Sequence, residues 1–183
     1  MTFKPIFSGG QGYAVVHPIY KGTYERQIQV SGPNDRAERN IHIGKDLRRA
    51  VDYLEMRGDI DMERLAYYGL SWGASMGPVM TAIEPRFAAS ILLAGGLGQY
   101  GMDSGSPPAA IPQNFAPRVA VPTLMINGMN DEEHPWATRG SALWNLLSEP
   151  KDSVLVDGGG HLPPVEARIP AINAFLDRVL GPV

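Results

Sequence analysis

Short, continuous apolar runs alternate with segments of helical periodicity along this chain of 183 residues. The runs with the length and composition of strands are residues 13–20, 64–70, 87–95, 121–128 and 152–158. Helical patterns occupy residues 34–57, 72–83, 135–149 and 164–181. Because the strand runs are apolar throughout, both faces of the sheet are expected to be covered. The chain is therefore predicted to be an α/β protein, with a mostly parallel sheet of about five strands and helices on both faces.

Length and composition limit the kind of protein and its partners. The length predicts a single domain over residues 1–183, in which the Gly/Pro-rich residues 96–120 are a candidate lid or substrate loop. A net charge of −3 gives no basic surface for nucleic acid, and the absence of cysteine excludes disulfides and thiolate chemistry. No apolar run suits a signal peptide or a membrane span, so a cytoplasmic protein with no membrane contact is predicted.

A serine flanked by two glycines stands where a predicted strand meets a predicted helix. Residues 67–77 read YYGLSWGASMG, with Ser71 between Gly69 and Gly73. In such a turn a side chain at either glycine would crowd the serine, and the following helix points its N-terminal amides at the site. Ser71 is therefore a candidate nucleophile, and the Trp72 N–H is a candidate donor to an oxyanion.

An aspartate and a histidine follow two later strands. Asp131 comes shortly after the run that ends at residue 128, and His161 follows three glycines after the last run. Because ligands bind beyond the carboxyl ends of parallel strands, Ser71, Asp131 and His161 are expected to meet at one edge of the sheet. An imidazole there could take the serine proton, and a carboxylate on its other ring nitrogen would orient it.

Other carboxylates and a metal site compete with that assignment. Glu132, Glu133 and Asp157 are rivals of Asp131 as the acid. Residues 131–134 combine carboxylates with a histidine, but their spacing does not put these ligands on one face. A solvated helix start with Pro135 at its first position is the simpler interpretation, so no metal and no organic cofactor is predicted.

These motifs resemble those of the α/β-hydrolase superfamily, in particular its dienelactone-hydrolase-like and prolyl-oligopeptidase-like serine esterases. The matching segments are residues 14–26, 46–80, 87–96, 114–135 and 158–164. The resemblance implies an ester-hydrolysing fold with Ser71 as nucleophile, His161 as base and Asp131 as acid. It also implies several strands before the one that looks like residues 13–20, so the chain resembles a member lacking its usual N-terminal strands.

The sequence differs from the family pattern in the source of the second oxyanion donor. In the family, the loop after one of those earlier strands usually supplies it, and no His-Gly motif precedes Tyr13. A hydroxyl or an amide of Tyr20, Lys21 or Gly22 is a candidate replacement. A homodimer or larger homo-oligomer is predicted to cover the sheet edge that the missing strands would leave.

The function that these residues favour is a serine carboxylesterase for small, short-acyl esters. Tyr24, Tyr100 and Phe115 are weaker candidates for lining the substrate pocket, and the last two could equally anchor the long loop. Because the second donor is missing, a catalytically silent binding module is the alternative. A peptidase or an acyltransferase would use the same three side chains.

Overall fold

Four parallel strands form the sheet. The computed structural model describes residues 12–29, 31–98, 107–108 and 111–182. In sheet order, the strands within these ranges are β1 (Ala66–Leu70), β2 (Ala89–Leu93), β3 (Thr123–Gly128) and β4 (Lys151–Val156). The register places Leu70 opposite Leu93 and Gly128 opposite Val156, so the strands end along one edge. The predicted α/β class with a parallel sheet is confirmed.

Helices cover both faces of this sheet. They are α1 (Pro33–Glu55), α2 (Trp72–Ile83), α3 (Ser141–Leu146) and α4 (Val165–Leu180), with α4 alone on its face among the described helices. Leu92 and Met125 of the central strands point to the layer of the first three helices, whereas Leu93 and Ile126 point to α4. This period-two alternation between two apolar layers explains why the runs are continuously apolar. Within the described ranges, no helix has the length and apolar character needed to cross a bilayer.

Residues 13–20, predicted as the first strand, form no strand. Tyr13 packs against the apolar cluster on the α4 side of the sheet, whereas Tyr20 packs against the cluster on the opposite side. The segment therefore passes from one face to the other, and no ladder of main-chain hydrogen bonds joins it to the described strands. Except for the exposed Ala14, its apolar side chains are half-buried without backbone pairing, and composition alone does not distinguish this arrangement from a strand.

A buried carboxylate holds α1 against the end of α2. The side chain of Glu84 is 1% exposed and receives hydrogen bonds of 2.7 Å from Nε and Nη2 of Arg86. The same guanidinium reaches Asp52 and Glu55 on α1 at 2.8 Å. Burial works to raise the pKa of Glu84, but the hydrogen bonds from Arg86 outweigh it and the pKa is lowered. The network therefore fixes the C-terminal part of α1 to the end of α2.

Candidate active site

Ser71 occupies a strained turn between β1 and α2. Its φ of 54° and ψ of −113° lie outside the regions that a non-glycine residue normally adopts. The Ser71 amide donates to the Leu93 carbonyl at 2.9 Å, which fastens the turn to the neighbouring strand. A Cβ at Gly69 would lie 2.5 Å from the Gly73 backbone, so this glycine lets the strand and the helix approach closely. A Cβ at Gly73 would meet nothing nearer than 3.9 Å, and the predicted crowding at that second glycine is wrong.

The Ser71 hydroxyl is directed at an imidazole rather than at its own helix. Ser71 is the N-cap of α2, yet its side chain makes no capping hydrogen bond. Its Oγ lies 2.8 Å from Nε2 of His161, and Nδ1 of the same ring lies 3.0 Å from Oδ2 of Asp131. A carboxylate only accepts, so Nδ1 carries a proton, and in the neutral ring Nε2 is the acceptor for the serine O–H. Of the three side chains predicted from the sequence, His161 is thus within hydrogen-bond reach of both Ser71 and Asp131.

Asp131 is held ionised by its surroundings. The residue is 2% exposed, and its Oδ1 accepts hydrogen bonds from the amides of Glu133 and His134 at 2.8 and 2.9 Å. Burial works to raise the pKa of Asp131, but the hydrogen bonds from the His134 amide, the His161 ring and the Glu133 amide outweigh it and lower the pKa. Within the described residues Asp131 is the carboxylate that bonds Nδ1 of His161, and the rivals Glu132 and Asp157 are exposed.

The chain after β3 and the chain after β4 meet at three glycines. A Cβ at Gly128 would lie 2.1 Å from the Gly160 carbonyl oxygen and 2.3 Å from that of Gly159, so no other residue type fits there. The Asn130 amide donates to the Gly159 carbonyl at 2.8 Å and joins the two loops directly. This crossing brings Asp131, three residues after β3, against His161 in the loop after β4.

The oxyanion donors predicted in the loop after residue 19 are already engaged. The Lys21 amide donates to Oδ2 of Asp46 at 2.7 Å, and the Gly22 amide donates to the Arg26 carbonyl at 2.7 Å. Those two backbone amides are therefore not free to bind an oxyanion, and the prediction is wrong for them. Trp72 is the first residue of α2, where the helix provides no acceptor for its N–H. That amide keeps the position expected of a donor beside Ser71.

The remaining predicted residues fall in different places. Tyr20 packs against the core, and burial, with a smaller contribution from the Asp46 carboxylate, raises the pKa of its hydroxyl to about 12. Tyr24 is 65% exposed and stands edge-on to His17, with ring centroids 6.2 Å apart. Phe115 packs against the apolar core, as expected of a loop anchor. Tyr100 lies outside the described residues, as does much of the candidate lid at 96–120.

Sequence reasoning missed Arg39 and named Glu133 only as a rival acid, yet both lie near Ser71, Trp72 or His161. A cavity of about 330 Å³ adjoins Trp72 and is lined by Gly22, Thr23, Arg39, Ile43 and Trp72. Arg39 precedes Ile43 by one helical turn, and this spacing on an amphipathic helix was the signal that could have placed it. On the other side, Oε2 of Glu133 lies 3.7 Å from Nε2 of His161, which places a second negative charge near the imidazole.

Sequence comparisons find distant relatives. No protein-family model matches the chain. The uncharacterized protein YfhR of Salmonella typhi is 27% identical over 156 residues, which make up 74% of this chain and 52% of that protein. The corresponding protein of Salmonella typhimurium is 26% identical over 155 residues. The chain spans about half the length of the curated relatives it matches.

Solved structures share the arrangement of strands and helices. An acetyl xylan esterase from Paenibacillus sp. R4 superposes with a TM-score of 0.66 at 20% identity, covering 77% of this chain and 53% of that one. The α/β hydrolase GrgF from Penicillium sp. sh18 gives a TM-score of 0.65 at 16% identity, covering 76% and 72%. At these identities the likeness establishes the fold.

Proposed function

We propose that this chain, which has the α/β-hydrolase fold, is a serine carboxylesterase that hydrolyses small, short-acyl esters. The observation that carries the proposal is the hydrogen-bonded relay of Ser71, His161 and Asp131. One imidazole lies 2.8 Å from a serine hydroxyl through Nε2 and 3.0 Å from a buried carboxylate through Nδ1. A serine hydroxyl is a weak nucleophile until a base within hydrogen-bond distance removes its proton, and this geometry supplies that base.

The first half of the proposed reaction makes an acyl-enzyme. Ser71 Oγ attacks the ester carbonyl carbon while its proton passes to Nε2 of His161, and the carbonyl π electrons move onto oxygen. Asp131 stabilises the imidazolium through Nδ1–H, and the Trp72 amide donates to the oxyanion. When the oxyanion collapses, the C–O bond to the alcohol breaks, and the alcohol leaves with the proton from His161.

The second half returns the enzyme to its starting state. A water molecule gives a proton to Nε2 of His161 as its oxygen attacks the acyl carbon. Collapse of this second tetrahedral species breaks the bond to Ser71 Oγ, which recovers the proton from the imidazolium. The carboxylic acid is released, so one ester and one water give one alcohol and one acid.

The size of the cavity next to the Ser71 turn favours a small substrate. The cavity beside Trp72 has a volume of about 330 Å³, at the lower end of the range of roughly 300–1,000 Å³ for small-molecule sites. An acetyl xylan esterase is among the proteins that share the fold, and an acetyl group is a short acyl chain of the kind proposed. The cytoplasmic location and the homo-oligomer stay predictions from the sequence.

Active-site labelling tests the proposal directly. The protein should react with a fluorophosphonate probe and hydrolyse p-nitrophenyl acetate, and Ser71→Ala should do neither while keeping the circular dichroism spectrum. Ser75→Ala, one turn along α2, is the matched control and should keep both activities. A wild-type protein that takes up no label would favour the silent binding module, and a labelled Ser71→Ala would place the nucleophile at another residue.

A further inference from the structure

A positive charge lies in the wall of the cavity beside the nucleophile turn. The guanidinium carbon of Arg39 is 5.3 Å from the centre of the Trp72 ring, and both side chains line the same cavity. Trp72 directly follows Ser71 in the sequence. A ligand that fills this cavity therefore contacts Arg39 and also Trp72, the residue that follows Ser71 in the nucleophile turn.

The loop that follows residue 19 keeps this arginine in place. A Cβ at Gly22 would lie 3.0 Å from Cδ of Arg39, so the arginine stem runs directly beneath the glycine. The loop is in turn tied to α1, because Asp46 accepts from the Lys21 amide at 2.7 Å and from Arg26 at 2.9 Å. The arginine is thus positioned by packing and by a charged anchor, which reduces the entropy lost when a ligand binds.

Arg39 has no anionic partner within the part of the chain that the structure describes. Its Nε is buried there without a hydrogen-bond acceptor. Its guanidinium lies over the face of Trp72, and this cation–π interaction is weaker than an ion pair. A guanidinium stays charged at all relevant pH values, so partly burying it without an anionic partner costs free energy that an anion bound at its accessible terminal nitrogens would offset.

The polar groups of Thr23, Lys21, Glu38 and His42 near the cavity are already paired. The Thr23 hydroxyl donates to the Tyr20 carbonyl at 2.7 Å, and Lys21 Nζ lies 3.1 Å from Nε2 of His42. Glu38, one residue before Arg39 in the sequence, lies 3.4 Å from the same His42 nitrogen and is 71% exposed. Within the described residues, the charged group of this cavity that lacks an acceptor is therefore Arg39, and the uncharged N–H groups of Trp72 are the other donors.

We infer that Arg39 binds a carboxylate of the substrate, so that the preferred esters are small monoesters of dicarboxylic acids. The inference rests on the proposed esterase function and adds the chemical class of its substrate. A guanidinium presents two parallel N–H donors that match a carboxylate. One arginine balances the single charge of a carboxylate, whereas a phosphate monoester carries a charge of about −1.5 to −2 at neutral pH.

Two methyl esters of equal size test the inference. Methyl hydrogen succinate carries the carboxylate, and methyl succinamate replaces it with a neutral amide; hydrolysis of both is followed by pH-stat titration. The wild-type protein should favour the succinate in kcat/KM by at least about 10-fold, the discrimination expected of one charge-assisted hydrogen-bonded pair. Arg39→Gln should lower that ratio by about 10- to 100-fold, and Arg39→Lys should lower it less.

Arg49→Gln is the matched control because it removes the same charge from an exposed position of the same helix. The preference should survive in that variant. If Arg39→Gln and Arg49→Gln give equal ratios, or if the wild-type protein does not favour the succinate, the inference is wrong while the esterase proposal stands.

A binding measurement separates the inference from catalysis. Succinate should bind to the Ser71→Ala protein in calorimetry and should bind at least about 10-fold more weakly to the Ser71→Ala/Arg39→Gln protein. No turnover of any ester together with Arg39-dependent succinate binding would reject the esterase and keep the carboxylate site. Equal succinate binding by the two proteins would reject the site.

Discussion

The two sides of Ser71 are built in different ways. Toward β3 and β4, the Gly128 crossing brings Asp131 against His161, and every polar group of the relay has a partner at 2.8–3.1 Å. Toward α1, the loop amides donate to groups within the loop and to Asp46, whereas the buried Nε of Arg39 lacks an acceptor among the described residues. The hydrogen bonds among Ser71, His161 and Asp131 are formed without a ligand, whereas the guanidinium of Arg39 has capacity left for one.

For the proposed esterase reaction, this difference predicts different kinetic roles for the two sides. Groups that move a proton must be positioned before the substrate arrives, because misplacement slows the chemical step itself. Groups that bind a distant part of the substrate act mainly through affinity. Substitutions on the β3–β4 side should therefore lower kcat, and substitutions on the α1 side should raise KM or change substrate preference.

The largest effect is expected for Asp131→Asn. The amide would leave the imidazole in the wrong tautomer and could not stabilise the imidazolium, so kcat should fall by roughly 10⁴-fold with little change in KM. Ester turnover by the purified variant measures this. Asp157→Asn, at the exposed rival carboxylate after β4, is the control and should turn over at the wild-type rate; the reverse result would move the acid to residue 157.

The relay could be predicted from the sequence because topology does most of the positioning. Once Ser71, Asp131 and His161 were placed after parallel strands, the common edge of the sheet brought them together. The sequence did not show that Gly128 is the residue that permits the approach. A glycine at a strand end has many explanations, and only the 2.1 Å separation between its potential Cβ and the Gly160 oxygen distinguishes them.

The α1 side of Ser71 was harder to predict because its structure depends on which donors and acceptors form hydrogen bonds with each other. The amides of Lys21 and Gly22 were plausible oxyanion donors until the structure paired them with Asp46 and Arg26. Residues 13–20 had the composition of a strand, yet whether an apolar run pairs its backbone depends on what lies beside it. Arg39 is one of several arginines on a charged helix. Its partial burial results from the loop at Gly22, which packs on its side chain, and the sequence alone does not indicate that contact.

Gly128→Ala should produce the next largest effect. The added methyl group would push the loop after β4 away and carry His161 with it, so kcat should fall by roughly 10²-fold. Ester turnover and a thermal melt measure the chemical and structural parts. Gly58→Ala, at a position with open space around it, is the control; equal activity of the two variants would mean that the crossing does not position the imidazole.

Asp46→Asn should have a smaller effect of a different kind. Losing the ion pair with Arg26, whose Nη1 lies 2.9 Å from Asp46, would loosen the loop over Arg39 and raise KM by roughly 3- to 10-fold, with kcat nearly unchanged. Steady-state kinetics with methyl hydrogen succinate measures both parameters. Asp177→Asn, on the exposed face of α4, is the control. A loss confined to kcat would show that this loop serves the chemical step, and the assignment of binding to the α1 side would be wrong.

The smallest effect concerns stability and comes from the ionisation of Asp131. Its pKa is lower in the folded protein than in the unfolded chain, because the amides of residues 133 and 134 and the His161 ring outweigh its burial. The ionised carboxylate therefore adds stability above the unfolded pKa of about 3.9, and that stability is lost as pH falls through the folded value. Urea unfolding at pH 7, 5, 4 and 3 should show the gap between wild type and Asp131→Asn narrowing below about pH 4. A gap that widens with acid would mean that burial dominates at this carboxylate, and the relay side would then be less complete than its hydrogen bonds indicate.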